Sequence, residues 1–445
     1  MQVSHSFSAT SAVFDDEHLV SYAGLVPVMT LAEQTGLLRL LGEKVHIAEP
    51  RIKSAAANPA PKLATVVAGM CVGADSFDDI DVVRCGGMKT LFDGVYAPST
   101  VGTLLREFTF GHARQLESVL REHLVALCAR VDLLPGADQG VFIDIDSLLR
   151  PVYGHAKQGA SYGHTKIAGK QILRKGLSPL ATTISTASSA PVIAGLRLRA
   201  GRANSGKGAG RMVAQAINTA RAAGASAQIL VRGDSAYGNR AVVAACARHG
   251  AHFSLVMTRN AAIDPDTGEW ISDADVAEIV YTAFASTSDA ITARLVVRRV
   301  KDARYRDALF PVWRYHPFFT NTELPVEQAD ITHRQHAIIE TVFADLIDGP
   351  LAHLPSGRFG ANAAWILCAA ITHNLLRATG VLAGDQHTRA RGSTLRRRII
   401  TVPARLARPQ RQPILHLPTH WPWSQHWLTL WHSTIGYSPP LSAPA

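Results

Sequence analysis

Val141-Phe-Ile-Asp-Ile-Asp-Ser147 reads as a short buried strand that carries two aspartates. Side chains alternate across a strand. Val141, Ile143 and Ile145 therefore take one face, and Phe142, Asp144 and Asp146 the other. A carboxylate is costly to bury unless something pairs with it. Two on one face of an apolar strand point to a cation, and a divalent metal is the simplest one. The plainer alternative ends the strand here and leaves both aspartates as solvated turn residues. Carboxylates further along the chain decide between these readings.

The chain has 445 residues, enough for a large core and two or three domains. Hydrophobic residues make up 47% and charged residues 18%, a globular balance. Lys and Arg number 45 against 35 Asp and Glu, a net charge of +10, and the pI is near 9.6. That surplus favours an anionic partner, nucleic acid first. Cys71, Cys85, Cys128, Cys246 and Cys368 form no CxxC pair. This argues against a disulfide framework or a zinc knuckle and for a reducing, cytoplasmic compartment. The first 16 residues lack the basic-then-apolar order of a signal peptide. No uninterrupted apolar run approaches the roughly 20 residues of a membrane span, so no membrane partner is expected.

Residues 17–135 are expected to be helical, with apolar residues at three- and four-residue spacing over 19–41 and 104–127. Ala97-Pro-Ser-Thr100 before Leu104-Leu-Arg-Glu107 looks like a capped helix start. The acidic stretch 75–81 reads as a solvated helix end. From 139 the texture changes to strands, expected over 169–173, 180–184 and 192–198. A helix follows over 212–223. Gln228-Ile-Leu-Val-Arg-Gly-Asp234 is a second buried strand with an aspartate at its carboxyl end. A helix over 241–249 and a strand, Phe253-Ser-Leu-Val-Met257, complete an α/β domain with a mixed sheet. Sites in open sheets collect at the carboxyl ends of strands, where Asp146 and Asp234 both lie. Residues 259–325 read as a β-rich insertion with a basic face, through Ala293-Arg-Leu-Val-Val-Arg-Arg-Val300 and a strand over 309–315. A charged face of this kind is ordinarily just solvated.

A helix is expected over 332–346, with Ile338, Ile339, Val342, Phe343 and Leu346 as its core face. His333, His336 and Glu340 fall on one stripe of it. An apolar helix follows over 363–376. Residues 386–412 hold eight arginines and no acid, with Arg396, Arg397 and Arg398 at the centre. Trp421, Trp423, Trp427 and Trp431 suggest a packing cluster, with base stacking as the alternative. Asp146, Asp234 and Glu340 together supply hard oxygen ligands from three elements. Two Mg²⁺ ions about 3.5–4 Å apart, held this way, polarise the attacking and leaving oxygens of a phosphodiester displacement. The arginines would hold the phosphate backbone.

The order Asp…Asp…Glu on an interrupted α/β domain resembles the DDE transposases of bacterial insertion sequences, and among them the insertion sequence thirteen-eighty group. The residues that carry the likeness begin with Ile143-Asp-Ile-Asp-Ser147, Val152-Tyr-Gly-His-Ala-Lys-Gln-Gly-Ala160, Tyr162-Gly163 and Val231-Arg-Gly-Asp-Ser-Ala-Tyr237. His333-Arg-Gln-His-Ala-Ile-Ile-Glu340, Val342-Phe-Ala-Asp-Leu346 and Ala352-His-Leu-Pro-Ser-Gly357 continue it, and Asn362-Ala-Ala-Trp365 and Asn374-Leu-Leu-Arg377 close it. The resemblance spans nearly the whole chain.

It implies a ribonuclease H-like mixed-sheet catalytic domain with a β-rich insertion, preceded by a helical N-terminal domain. The expected parts are a helical region 1–135 for end binding or dimerisation, catalytic segments 136–258 and 326–380, the insertion 259–325, and a basic Arg- and Trp-containing region 381–445. The implied activity is Mg²⁺-dependent cutting at transposon terminal inverted repeats and strand transfer into target DNA, with Mn²⁺ able to substitute. A homodimer in the synaptic complex and a cytoplasmic, nucleoid-associated location go with it. By position Asp146 matches the first catalytic aspartate, Asp234 the second and Glu340 the glutamate. Asp144 is the rival to Asp146 and a further metal ligand. The sequence departs from the family where Ser147 and Leu148 follow Asp146 in place of a small residue and Thr. It departs again at His333, His336 and Ile347, where related chains often carry Tyr, Arg and Lys. His333, Arg334 and His336 are expected DNA contacts, joined by Arg396, Arg397 and Arg398. A zinc site of His333, His336 and Glu340 is a further alternative. So are a DNA-binding relative without chemistry acting as a repressor, and a nuclease of the same fold that only hydrolyses.

Overall fold

In the computed structural model, residues 12–48, 50–154, 156–167, 170–204, 206–256, 270–271, 274–302, 310, 312–408 and 413–436 are described. Helical spacing runs over 19–41. The chain there makes a short strand, β1 (Leu19–Val20), then α1 (Leu25–Gln34) and α2 (Leu37–Lys44). Gly36, at φ 74°, makes the break in a left-handed conformation that glycine takes freely. The helical run continues through α3 (Lys53–Ala56), α4 (Pro59–Val72), α5 (Met88–Leu91), α6 (Pro98–Arg106) and α7 (Phe110–Arg130). Pro98 opens α6 where its missing N–H is harmless, but Ala97 stands at the cap and no side chain caps it. The capping box belongs to α7, between Thr109 and His112. The acidic stretch is a tight 3₁₀ turn, Asp78–Arg84.

Twelve strands follow: β2 (Val141–Ser147), β3 (Arg150–Pro151), β4 (Ser161–Ile167), β5 (Lys170–Leu177), β6 (Leu180–Ser185), β7 (Val192–Arg197), β8 (Ile229–Gly233), β9 (His252–Val256), β10 (Trp270–Ile271), β11 (Ala274–Ala283), β12 (Ile291–Lys301) and β13 (Trp313–Thr320). Nine of them form one mixed sheet in the order β10-β11-β12-β13-β9-β8-β2-β6-β7. The pairs β2–β8 and β8–β9 are parallel, linked by α8 (Ala209–Ala222) and α9 (Arg240–Arg248). The expected insertion extends this sheet, because β13 pairs with β9 from Phe318↔Val256 to Thr320↔Ser254. Phe318 and Phe319 are fully buried at that seam and tie the two halves together. The basic face of β12 is matched by acids: Arg294 pairs with Glu278, Arg299 with Asp275 and Arg298 with Asp330. β3, β5 and β4 form a separate three-stranded sheet. Polar residues hide β4 from a reading by hydrophobic runs. Gly169, Met257, much of 259–273 and the start of the 309–315 run lie outside the described residues.

The expected helix over 332–346 is broken in two. α10 (Val326–Arg334) ends in a 3₁₀ turn, Gln335–Ala337, before α11 (Ile338–Ile347). α12 (Phe359–Leu382) has 24 residues and is long and apolar enough to cross a membrane, beyond what the sequence reading expected. It is instead the axis of the core, with 89% of its apolar window buried and α1, α4, α6, α7 and β7 packed round it. The chain closes with α13 (Gly392–Leu395), β14 (Ala404–Ala407), β15 (Ile414–His416) and α14 (Ser424–Thr434). One continuous hydrophobic core runs from Val20 to Leu430, so the N-terminal helices share it with the sheet. The tryptophans pack together: Trp427 stacks on Trp431 at 5.0 Å, and Trp421 meets Trp423 edge-on at 5.7 Å.

Candidate active site

The parallel register of β2 and β8 runs from Val141↔Ile229 to Ile145↔Gly233. Asp146 and Asp234 are the next residues on each strand. They therefore stand at the carboxyl ends of neighbouring strands, which lie about 4.8 Å apart, Asp146 still paired with Ala181 of β6 and Asp234 just past the end of β8. Asp146 is half-buried and Asp234 exposed. Each carboxylate is oriented by a backbone amide: Ser147 N–H donates to Asp146 at 2.6 Å, and Ala236 N–H to Asp234 at 2.9 Å. Tyr237 lies buried behind them. Burial, and then the charges of Asp146 and Asp234, raise its phenol above the ordinary value. Both carboxylates thus act on the same Tyr237 phenol.

Asp144 faces a different partner. It stands directly opposite Arg232 in the β2–β8 ladder. Arg232 Nε donates to its Oδ1 at 2.7 Å and Nη2 to its Oδ2 at 2.9 Å, both side chains almost wholly buried. The same guanidinium donates to Thr332 O at 3.1 Å and lies over the Phe142 ring at 4.2 Å. Both carboxylate oxygens of Asp144 are engaged by an arginine, so its expected place among the metal ligands is corrected to that of a structural ion pair. Arginine on a buried strand was the signal in the sequence.

The glutamate stripe is also rearranged. His333 was expected on a DNA-facing surface, but it is buried. It stacks on Phe318 at 4.3 Å and shares a hydrogen bond with Ser254 Oγ at 2.8 Å. Burial and the nearby His336 hold its imidazole down to about 3, so it is neutral at pH 7. His336 is half-buried, with Nδ1 2.6 Å from His333 O. Arg334 is half-exposed and pairs with Asp330 at 3.0 Å. Glu340 is exposed in the first turn of α11, which packs on β2. Among the described residues no three His, Cys, Asp or Glu side chains come together as a metal cluster. The structure thus joins Asp146 to Asp234, leaves Glu340 on an adjoining helix, and supports no zinc trio of His333, His336 and Glu340. Two clefts meet at Ser235, next to Asp234. One, of about 360 Å³, includes Arg298, Tyr315, Arg334 and His336. The other, of about 770 Å³, includes Ser147, Tyr162, Arg202 and Asn239.

Residues 6–435 match the family described as Transposase DDE domain group 1. The chain belongs to this transposase family. Its mixed α/β architecture with a large mixed sheet is consistent with a DDE transposase fold. The cryo-EM structure of the piggyBac transposase synaptic complex with hairpin DNA is similar at a TM-score of 0.43 and 9% identity, over 94% of this chain and 83% of that one. No curated protein matches the chain.

Several motif residues of this transposase serve the frame. Asn374 clasps β7 by accepting from Ile193 N at 2.7 Å and donating to Ile193 O at 2.8 Å. Asn362 bonds both backbone groups of Ser356, and Trp365 Nε1 donates to Pro350 O at 2.7 Å. Asp345, quoted within the Val342-Phe-Ala-Asp-Leu346 motif but given no role there, is buried beside His373 at 3.3 Å and Arg377 at 3.9 Å and accepts from Gly392 N at 2.8 Å. Burial alone would raise its carboxyl, but those partners outweigh it and hold it at about 2. The arginine triplet splits. Arg396 donates to Asp348 O at 3.2 Å and Arg398 lies over the Trp423 ring at 5.1 Å, while Arg397 is exposed. A π-helical turn, Arg396–Ile400, points the three in different directions. Of the three expected DNA contacts, Arg397 is the exposed one.

Proposed function

We propose that the chain cuts DNA at the terminal inverted repeats of a bacterial insertion sequence and transfers the freed 3′-hydroxyl into target DNA. We place it in the insertion sequence thirteen-eighty group, on a ribonuclease H-like frame, acting in the cytoplasm as a homodimer on DNA. The observation that carries this reading is the parallel register that sets Asp146 beside Asp234, in a chain of the DDE family. The net charge of +10 supports a polyanionic substrate.

The donor chemistry fits hard divalent ions, since the paired groups are carboxylates at strand ends. Mg²⁺, or Mn²⁺ in its place, would be held by Asp146 and Asp234, with Glu340 as the third carboxylate. Bound there, it supplies Lewis-acid activation of the attacking water or hydroxyl and offsets charge on the leaving oxygen. The protein's own part is placement. The buried Asp144–Arg232 rung fixes how β2 and β8 lie against each other, and so where both aspartates emerge. Arg334, which lines the smaller cleft beside its partner Asp330, is the residue proposed to meet a phosphate.

The test is cleavage and joining by purified Asp146→Asn, Asp234→Asn and Glu340→Gln variants. Each is expected to lose both steps while still binding DNA. A variant that joins strands at near wild-type rate removes that residue from the site, and three such variants remove the reading. A pre-cut 3′-hydroxyl end with a target plasmid separates the alternatives. A transposase joins them, a hydrolytic nuclease does not, and a repressor neither cuts nor joins.

A further inference from the structure

Between Asp146 and Asp234 the chain carries 13 Lys and Arg and not one Asp or Glu. Several of these cations are consumed by the frame: Arg197 pairs with Glu117, Arg232 with Asp144, and Arg199 with Ser178. Arg174, Arg202 and Lys207 remain exposed. Arg174 lies on the β4–β5 hairpin, which forms a sheet apart from the main one on the rim of the 770 Å³ groove, and Arg202 lines that groove. Register pairs Tyr162 with Lys175, so both take one face of the hairpin. Leu173, two residues from Lys175, takes the same face. Tyr162 is 66% exposed and Leu173 58% exposed, and both line the groove. The groove's lining also includes Ser147 and Ser235, the residues that follow the two aspartates.

The hairpin is held at a fixed angle to this groove. A Cβ at Gly163, Gly176 or Gly201 would overlap a backbone carbonyl oxygen, so the hairpin root and the 201 loop meet backbone to backbone. Arg202 N also donates to Ser161 Oγ at 2.8 Å. An exposed aromatic ring, an aliphatic neighbour and a lysine on one face, beside a groove lined by Arg202, match an unpaired nucleic-acid strand. Bases stack on such rings, and cations follow the backbone. A duplex does not match, because its base faces are stacked on each other and closed to Tyr162.

We propose that the β4–β5 hairpin is a single-strand guide. Tyr162 stacks an unpaired base of the DNA strand next to the cut, and Lys175 and Arg202 take its phosphates. This rests on the reading of the chain as a DNA-cutting enzyme. It adds a strand-selective contact that neither the carboxylates nor the arginine-rich segment supplies.

The experiment measures fluorescence anisotropy of the full chain with labelled oligo(dT), with a random-sequence duplex of equal length, and with oligo(rU). The expected result for Tyr162→Ala is about ten-fold weaker oligo(dT) binding with duplex binding unchanged. Tyr162→Phe, which keeps the ring, should bind like wild type. Lys175→Ala should lower the salt slope for oligo(dT) by about 0.7. The guide is overturned if Tyr162→Ala binds oligo(dT) like wild type, if it loses both DNA forms equally, or if oligo(rU) binds more tightly than oligo(dT). A wild-type chain that binds neither DNA form overturns the proposed function together with the guide. Normal cleavage with unchanged oligo(dT) binding in Tyr162→Ala overturns the guide alone.

Discussion

Arg232 grips both oxygens of Asp144 from the directly opposite position on the neighbouring parallel strand, at 2.7 and 2.9 Å. Removing one member of a buried pair strands the other charge, a loss of about 3–5 kcal/mol. Asp144→Ala should therefore lower unfolding stability by that amount in a denaturant titration. Asp146→Asn, one rung outward, should unfold near the wild-type midpoint. Wild-type stability in Asp144→Ala would show that the pair does not hold the two strands.

Asp345 makes the second prediction. It joins α11 to α12 through His373 and Arg377 and to α13 through the Gly392 amide. Asp345→Ala should cost about 3 kcal/mol or more, for the same reason. DNA binding measured well below the melting temperature should persist. Loss of binding without loss of stability would reassign Asp345 to the DNA surface.

Acid should destabilise the protein early. Burial holds His123 down to about 4 and His333 to about 3, from an ordinary 6.5. As pH falls through 6.5 the unfolded chain takes up these protons and the folded chain does not. Stability is thus full above 6.5 and declines from there toward 4 and 3. The slope is up to about 1.4 kcal/mol per pH unit for each histidine. Asp345, held at about 2, adds a loss that begins only below 3.8. Melting temperatures from pH 7 to 5 should fall in wild type and flatten in a His123→Gln, His333→Gln variant. Parallel curves would mean that neither ring stays neutral in the folded state.

The arginine triplet should divide by function. Arg396→Ala and Arg398→Ala should lower stability, because one bonds Asp348 O and the other covers Trp423. Arg397→Ala should leave stability within about 0.5 kcal/mol. If Arg397 touches a phosphate, its loss should reduce the duplex salt slope by about 0.9. An unchanged slope would remove the triplet from the DNA surface altogether.

The sequence already showed β2 and β8, because each is a short apolar run ending in an aspartate. It could not separate Asp144 from Asp146 by alternation, since both take one face. The distinction comes from Arg232, which lies 88 residues away along the chain. His333, His336 and Glu340 looked like one stripe because helical spacing was extended through residues 335–337, where the backbone tightens to 3₁₀. The hairpin strand β4 was missed because it alternates polar and small residues in place of apolar ones. Arg396 and Arg398 looked like free cations because sequence does not show which carbonyl or ring a long side chain will reach.

The pairing of Leu19 with Arg405 and of Val20 with Ala404 has a consequence for synthesis. Gln34 also donates to Thr434 O, and Arg130 to Ser433 O, both at 2.5 Å. The helices near residues 19–34 are thus completed only once residues 404–434 have been translated. Until then the nascent chain must keep the apolar sides of α1 and α12 from sticking to other proteins, a period in which aggregation and chaperone capture compete with folding. Stop codons placed just before residue 404 should therefore yield insoluble product, even though every catalytic candidate has by then been translated.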